Sequence, residues 1–178
     1  EQWNAKINLV SRDSLANAWE RHFADSAQLW RLRPAGARRW LDLGSGAGFP
    51  GLVIAALAAD VPGTEVHLVE SDQRKAAFLG TVVRATGASA TVHSERIEAL
   101  PPMQADVVSA RALAPLDRLL AMVERHRRPG GIGLFPKGAS VHKEMAEAAV
   151  HWQFDHAIHR SLTDPRAAIV EIGATRRV

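Results

Sequence analysis

The chain contains no cysteine. That excludes a disulfide framework, a thiolate nucleophile and a cysteine-ligated metal site, and it fits a reducing cytoplasm, which is the expected location. No apolar run approaches the roughly 20 residues that a membrane-spanning helix requires; the longest runs only from Leu52 to Ala59, so no membrane partner is expected. No signal peptide is visible, and the chain starts at Glu1 rather than Met, which leaves room for residues ahead of it. Internal repeats and low-complexity tracts are absent, and no Ser-His-Asp arrangement or Walker lysine can be assembled. His22 and Asp25 stand three apart on one helix face. Two ligands do not make a metal site, so no metal is expected. Charge of one sign is also scarce: 22 Lys and Arg against 19 Asp and Glu leave a net +3. A pI near 9.9 permits an anionic partner without demanding one.

At 178 residues and 47% hydrophobic content, the chain suits one domain over 1–178, with a helical segment at 1–38 and a core at 39–178. Apolar periodicity predicts strands at Arg39–Leu43, Glu65–Val69, Ala90–His93, Ala105–Ser109, Gly131–Phe135, Phe154–Arg160 and Ala167–Gly173. It predicts helices at Pro50–Ala59, Gln73–Thr86, Leu116–His126 and Ser140–Trp152. Strands alternating with helices imply an α/β fold, Rossmann-like, with a mostly parallel seven-stranded sheet covered on both faces. Only Thr163-Asp164-Pro165 and a few neighbours separate the last two strands, a spacing that suits an antiparallel edge hairpin. Pro62-Gly63, Pro101-Pro102 and Pro129-Gly130-Gly131 are expected turns. No obligate protein partner is evident, and a monomer is expected.

The segment Trp40-Leu41-Asp42-Leu43-Gly44-Ser45-Gly46-Ala47-Gly48-Phe49-Pro50-Gly51 runs an apolar strand into a glycine-rich turn and then a helix. Such a turn lets backbone approach a ligand closely, beside the N–H groups of the helix start. Two frames fit it. Gly46-x-Gly48-x-x-Gly51, with Glu70 further on, has the dinucleotide spacing of an NAD-dependent oxidoreductase. Asp42-x-Gly44-x-Gly46-x-Gly48 starts where the apolar run ends and is the natural frame. In it, the third dinucleotide glycine falls on Phe49, and Phe49-Pro50 fills the space a pyrophosphate needs. A ligand without phosphate, such as S-adenosyl-L-methionine, tolerates that bulk.

Ligands of open α/β sheets bind outside the carboxyl ends of the strands. Glu70, at the end of the second strand, can accept from ribose hydroxyls, with Ser71 or Asp72 capping the next helix. After the third strand, Ile97 and Glu98 can bracket an adenine, although the same residues read equally as a solvated turn. Arg111, following the buried fourth strand, is costly unless it is paired or faces a ligand. Its alternatives are a cofactor contact, a clamp on the substrate base or phosphate, and a salt bridge. Lys137 places another cation at the same edge.

Several of these motifs agree with one family. The chain resembles the bacterial small-subunit (16S) ribosomal RNA guanine-N7 methyltransferases, long called glucose-inhibited division protein B. The resemblance rests on Trp3-Asn4 with Asn8-Leu9, His22 with Asp25-Ser26, and Asp42-x-Gly44-x-Gly46-x-Gly48-Phe49-Pro50-Gly51. It also rests on Lys75 with Phe78-Leu79, Arg96 with Glu98, Ser109-Ala110-Arg111-Ala112, and Lys137-Gly138. Departures are Gln73-Arg74-Lys75, where the family often has two lysines, and a missing leading helix. The resemblance implies S-adenosyl-L-methionine as cofactor, held by Gly44, Gly46, Gly48, Phe49, Glu70, Ser71, Ile97, Glu98 and Arg111. It implies methylation of one guanine N7 in small-subunit ribosomal RNA, free or within an assembling subunit. No general base is needed, and Arg111 is the one residue offered for catalysis. Arg12, His22, Arg96, Lys137 and Arg166 are the expected RNA contacts. Scattered arginines, Arg31, Arg33, Arg38, Arg39, Arg125, Arg127 and Arg128, predict salt-sensitive RNA affinity. A non-catalytic RNA-binding module on the same fold is the alternative from another class.

Overall fold

The computed structural model describes residues 2–178, with the Arg12 side chain left out of the description. Seven strands form one sheet: β1 Arg39–Leu43, β2 Glu65–Val69, β3 Ala90–His93, β4 Ala105–Ser109, β5 Arg127–Lys137, β6 Trp152–Arg160 and β7 Ala168–Arg177. Their order is β3-β2-β1-β4-β5-β7-β6. The first five run parallel, while β7 inserts antiparallel between β5 and β6. Strand order reverses between β1 and β4, and crevices in such sheets open at this switch point.

Short helical pieces lead in: α1 Asn4–Ile7, α2 Arg12–Leu15, a π-helical turn Trp19–Ala24, α3 Asp25–Ala27 and a 3-10 turn Gln28–Leu32. The longer helices are α4 Gly51–Ala58, α5 Gln73–Thr86, α6 Leu116–His126 and α7 Val141–Ala148. Two cores lie on opposite sheet faces. Trp40, Val66, Leu68, Val107, Leu134 and Ile169 pack under Ile54, Ala55 and Ala58 of α4 and Leu79 of α5. Leu41, Leu43, Val108, Phe135 and Val170 pack under α6 and α7. The alternation Trp40/Leu41, Val107/Val108 and Leu134/Phe135 is the period-two reading of strands buried on both faces. Helix α6 buries Leu116, Leu119, Leu120 and Val123, one stripe at helical spacing, where each side chain contributes roughly 1.5–3 kcal/mol.

The first four strands, α5 and α6 have the bounds that periodicity predicts. Three regions differ. Strand β5 begins at Arg127, ahead of Pro129-Gly130-Gly131, because a register shift between Ala105 and Val107 lets this glycine segment run alongside β4. A Cβ on Gly131 would sit 2.6 Å from the Ala105 carbonyl oxygen, so only glycine permits that approach. Helix α7 stops at Ala148, and Trp152, read as its end, begins β6 as a buried residue. Strand β7 continues past Gly173 to Arg177, held by pairing of Thr175, Arg176 and Arg177 with Phe154, Gln153 and Trp152. Backbone pairing of exposed residues leaves no apolar pattern to read.

Candidate active site

A cavity of about 570 Å³ opens at the carboxyl ends of β1, β2 and β4. Gly44, Gly46, Phe49, Glu70, Ser71, Arg96, Ile97, Glu98 and Arg111 all line it. The turn after β1 places Gly44, Gly46 and Gly48 at φ +63°, +53° and +87°, a left-handed path that favours glycine. Gly48 does not face the cavity: it is buried, and a Cβ there would strike Leu52 of α4. It packs behind the turn, while Gly44 and Gly46 border the cavity. The Phe49-Pro50 peptide is cis.

Two carboxylates brace this turn. Asp42, fully buried, accepts from Ser109 Oγ at 2.7 Å and from the Gly51 N–H at 3.2 Å. Burial pushes its carboxyl up to about 6, against the pull of those hydrogen bonds. Glu70 accepts from the Gly46 N–H at 2.9 Å and the Asp72 N–H at 2.8 Å. Each of its oxygens thus has a backbone partner and a further lone pair, and the residue borders the cavity. Asp72, not Ser71, caps α5, accepting from the Arg74 and Lys75 N–H groups. Ser71 is left exposed on the cavity wall.

Ile97 and Glu98 occupy a 3-10 turn, Ile97–Ala99. Arg125 of α6 pins that turn from behind, donating to the Glu98 carbonyl at 3.3 Å and the Leu100 carbonyl at 2.7 Å. Arg111 makes the salt bridge that was one of the readings given to it, and it also borders the cavity. Its guanidinium lies 3.6 Å from Asp25, donates to the Arg21 carbonyl at 3.2 Å, and sits 5.1 Å over the Phe49 ring while lining the cavity. Burial lowers its pKa, although Asp25 pulls the other way. Ala112, next in the chain, holds a left-handed φ of +52°, which costs roughly 1–2 kcal/mol and marks a strained turn at the cavity mouth.

The expected RNA contacts scatter. His22 stacks on Phe49 at 5.0 Å, and neither ring nitrogen has a partner among the described residues. Burial first, and then Arg111, lower its pKa, which favours the neutral ring. Arg96 is exposed on the cavity rim. Lys137 is committed inward, 2.7 Å from Glu144 and donating to the Ala114 carbonyl at 3.1 Å. Arg166 is exposed, pairs locally with Asp164, and does not line the cavity. The Arg12 side chain lies outside the described residues. Several surface arginines are also engaged internally: Arg39 with Glu65, Arg128 with Asp106, and Arg33 over the Trp30 ring. Sequence reasoning left Leu9, Lys75, Leu113 and Met122 unassigned, yet they line the cavity. Lys75 was within reach of it, standing in the first turn after the β2 end.

The sheet order, the glycine turn and the cavity at the switch point define a Rossmann-like methyltransferase fold. A solved S-adenosylmethionine-dependent methyltransferase from Aquifex aeolicus superposes with TM-score 0.68 at 13% identity, covering 94% of this chain and 96% of that one. The family model described as rRNA small subunit methyltransferase G matches residues 1–170. Proteins named ribosomal RNA small subunit methyltransferase G from Cereibacter sphaeroides and Rhodospirillum centenum are 50% and 55% identical. The first match covers 99% of this chain and 86% of the relative, the second 96% and 77%. The chain belongs to this family. The oxidoreductase and the non-catalytic module are not favoured.

Proposed function

We propose that the protein transfers a methyl group from S-adenosylmethionine to N7 of a guanine in small-subunit ribosomal RNA. The carrying observation is the braced glycine turn at the switch-point cavity in a chain of this family. The cavity suits the cofactor: Gly44 lines it at φ +63°, a left-handed conformation that favours glycine and leaves bare backbone on the wall. Phe49 offers an apolar wall where a pyrophosphate would want open N–H groups. In this reading Gly44, Gly46 and Phe49 border the methionine portion, Glu70 and Ser71 meet the ribose, and Ile97 and Glu98 flank the adenine. When bound, S-adenosylmethionine supplies a methyl group activated on a sulfonium.

Guanine N7 has a lone pair and no proton, so attack requires no general base. The residues act by positioning and by excluding water. Arg111, fixed over Phe49 by Asp25, stands between cofactor and substrate, and His22 presents unpartnered ring nitrogens beside it. Arg96 at the rim meets phosphate. The N-terminal 1–38 segment closes over the 39–178 core, the two acting as one domain and as a monomer in the cytoplasm, where small subunits assemble.

The test supplies labelled cofactor with naked small-subunit RNA, assembly intermediates or mature subunits lacking the modification. Label at a single guanine whose site becomes sensitive to N7-specific chain cleavage supports the reading. Cofactor binding without transfer to any of the three supports the RNA-binding module, and NAD binding without response to S-adenosylmethionine supports the oxidoreductase.

A further inference from the structure

Trp19 is the most exposed tryptophan or phenylalanine among the described residues, at 76%. Its ring stacks on Phe23, with centroids 5.1 Å apart and planes 24° from parallel. Phe23, itself 39% exposed, stands edge-on to Phe49 at 5.1 Å. Phe49 lines the cofactor cavity and carries Arg111 over its face. The π-helical turn Trp19–Ala24 brings the first two rings together, and the glycine turn supplies the third. An isolated exposed tryptophan needs no explanation. Three rings in contact, leading from open surface to the reaction cavity, do.

We propose that these rings form a stacking track for unpaired RNA bases. A base beside the target guanine stacks on the outer face of Trp19, and the strand passes the exposed edge of Phe23 while the guanine itself enters next to Phe49. This rests on the methyltransferase reading above. A guanine whose N7 must reach a methyl group inside a protein cavity arrives out of its stack, and its neighbours lose stacking with it. Aromatic faces replace that stacking whatever the base, because every base has a π-face. Arg21, exposed and next but one to Trp19 along the turn, supplies a cation where the backbone passes. The three rings line one wall of an apolar groove of about 740 Å³, which shares Leu9, Ala47 and Phe49 with the cofactor cavity. The continuity of the rings with that cavity favours the substrate over an apolar peptide or a second copy of the chain.

Methyl-transfer kinetics on small subunits, RNA binding across salt concentrations, and cofactor affinity are compared for the full chain, Trp19→Ala and Trp19→Phe. The track predicts that Trp19→Ala raises KM for RNA about tenfold, with kcat and cofactor affinity retained. The slope of affinity against salt stays the same, since stacking neutralises no phosphate. Trp19→Phe recovers most of the loss. Equal KM for the full chain and Trp19→Ala overturns the proposal, as does a dimer of the full chain that Trp19→Ala converts to monomer. If the full chain binds RNA but transfers no methyl, the methyltransferase reading fails, and RNA affinity of Trp19→Ala still decides the track: a loss supports it and no change overturns it.

Discussion

The Arg111 guanidinium lies 3.6 Å from the Asp25 carboxylate, so the end of β4 is tied to the helical segment that leads the chain. Asp25 is itself held, accepting from Gln28 at 2.9 Å and from Thr163 in the β6–β7 turn at 2.9 Å. One carboxylate thereby orients the cavity's arginine and joins three parts of the chain.

Arg111→Ala is expected to lower methyl transfer about a hundredfold, the scale of a misplaced reacting group. Folding is retained. Asp25→Asn, which leaves the guanidinium free to move, reproduces part of that loss and costs about 1 kcal/mol of stability. Weaker cofactor binding in Arg111→Ala assigns the side chain to the cofactor. Unchanged cofactor binding with slower turnover assigns it to the guanine. Wild-type activity per folded molecule in both variants would leave only the salt bridge.

At Gly44 the backbone needs φ +63° and a Cβ would displace Leu113. Gly44→Ala is expected to cost about 1–2 kcal/mol of stability and at least tenfold in affinity for S-adenosylmethionine, measured by calorimetry. An alanine variant that binds the cofactor as the wild type does would show that the turn does not form the cradle.

The strands and long helices up to α6 were legible because burial on both sheet faces imposes period two and one-sided helices impose 3.6. The glycine turn and the strand-end residues were legible because the carboxyl edge fixes which side chains converge. What stayed hidden depends on contacts across the chain. Nothing near Arg111 in sequence announces Asp25, and nothing local separates Gly48, packed on Leu52, from Gly44 and Gly46, which face the cavity. Lys137 read only as a cation at the edge, because its partner Glu144 comes from the following helix.

Asp42 carries a pH signature. Its folded carboxyl, raised by burial to about 6 from 3.8, favours the protonated form in the native state. Its contribution to stability is therefore full below about pH 4 and is lost as pH rises through 6, a change of about 3 kcal/mol. Asp42→Asn removes that dependence. Chemical denaturation at pH 4.5 and 7.5 should show the wild type losing stability relative to the variant on going to the higher pH. Parallel pH profiles for the two proteins would mean that Asp42 ionises in the folded state as it does in the unfolded chain.

Lys137 separates structural from RNA-facing cations. Its side chain is 10% exposed, and its ammonium is shared between Glu144 and the Ala114 carbonyl. Burial alone would raise the Glu144 carboxyl, but the hydrogen bonds from Lys137 and Ser140 outweigh it and hold the pKa below its usual value. Lys137→Met leaves that carboxylate with Ser140 but no cation and is expected to cost about 2 kcal/mol at neutral pH. Because the folded pKa is depressed, this contribution is present above the unfolded value and lost as pH falls through the folded one. The stability gap between wild type and variant therefore closes in acid. RNA affinity and its salt slope should be unchanged in Lys137→Met, whereas Arg96→Ala at the exposed rim should reduce the slope by about one. A slope reduced by Lys137→Met, with stability intact, would place the ammonium on a phosphate and release Glu144 from its role in holding it.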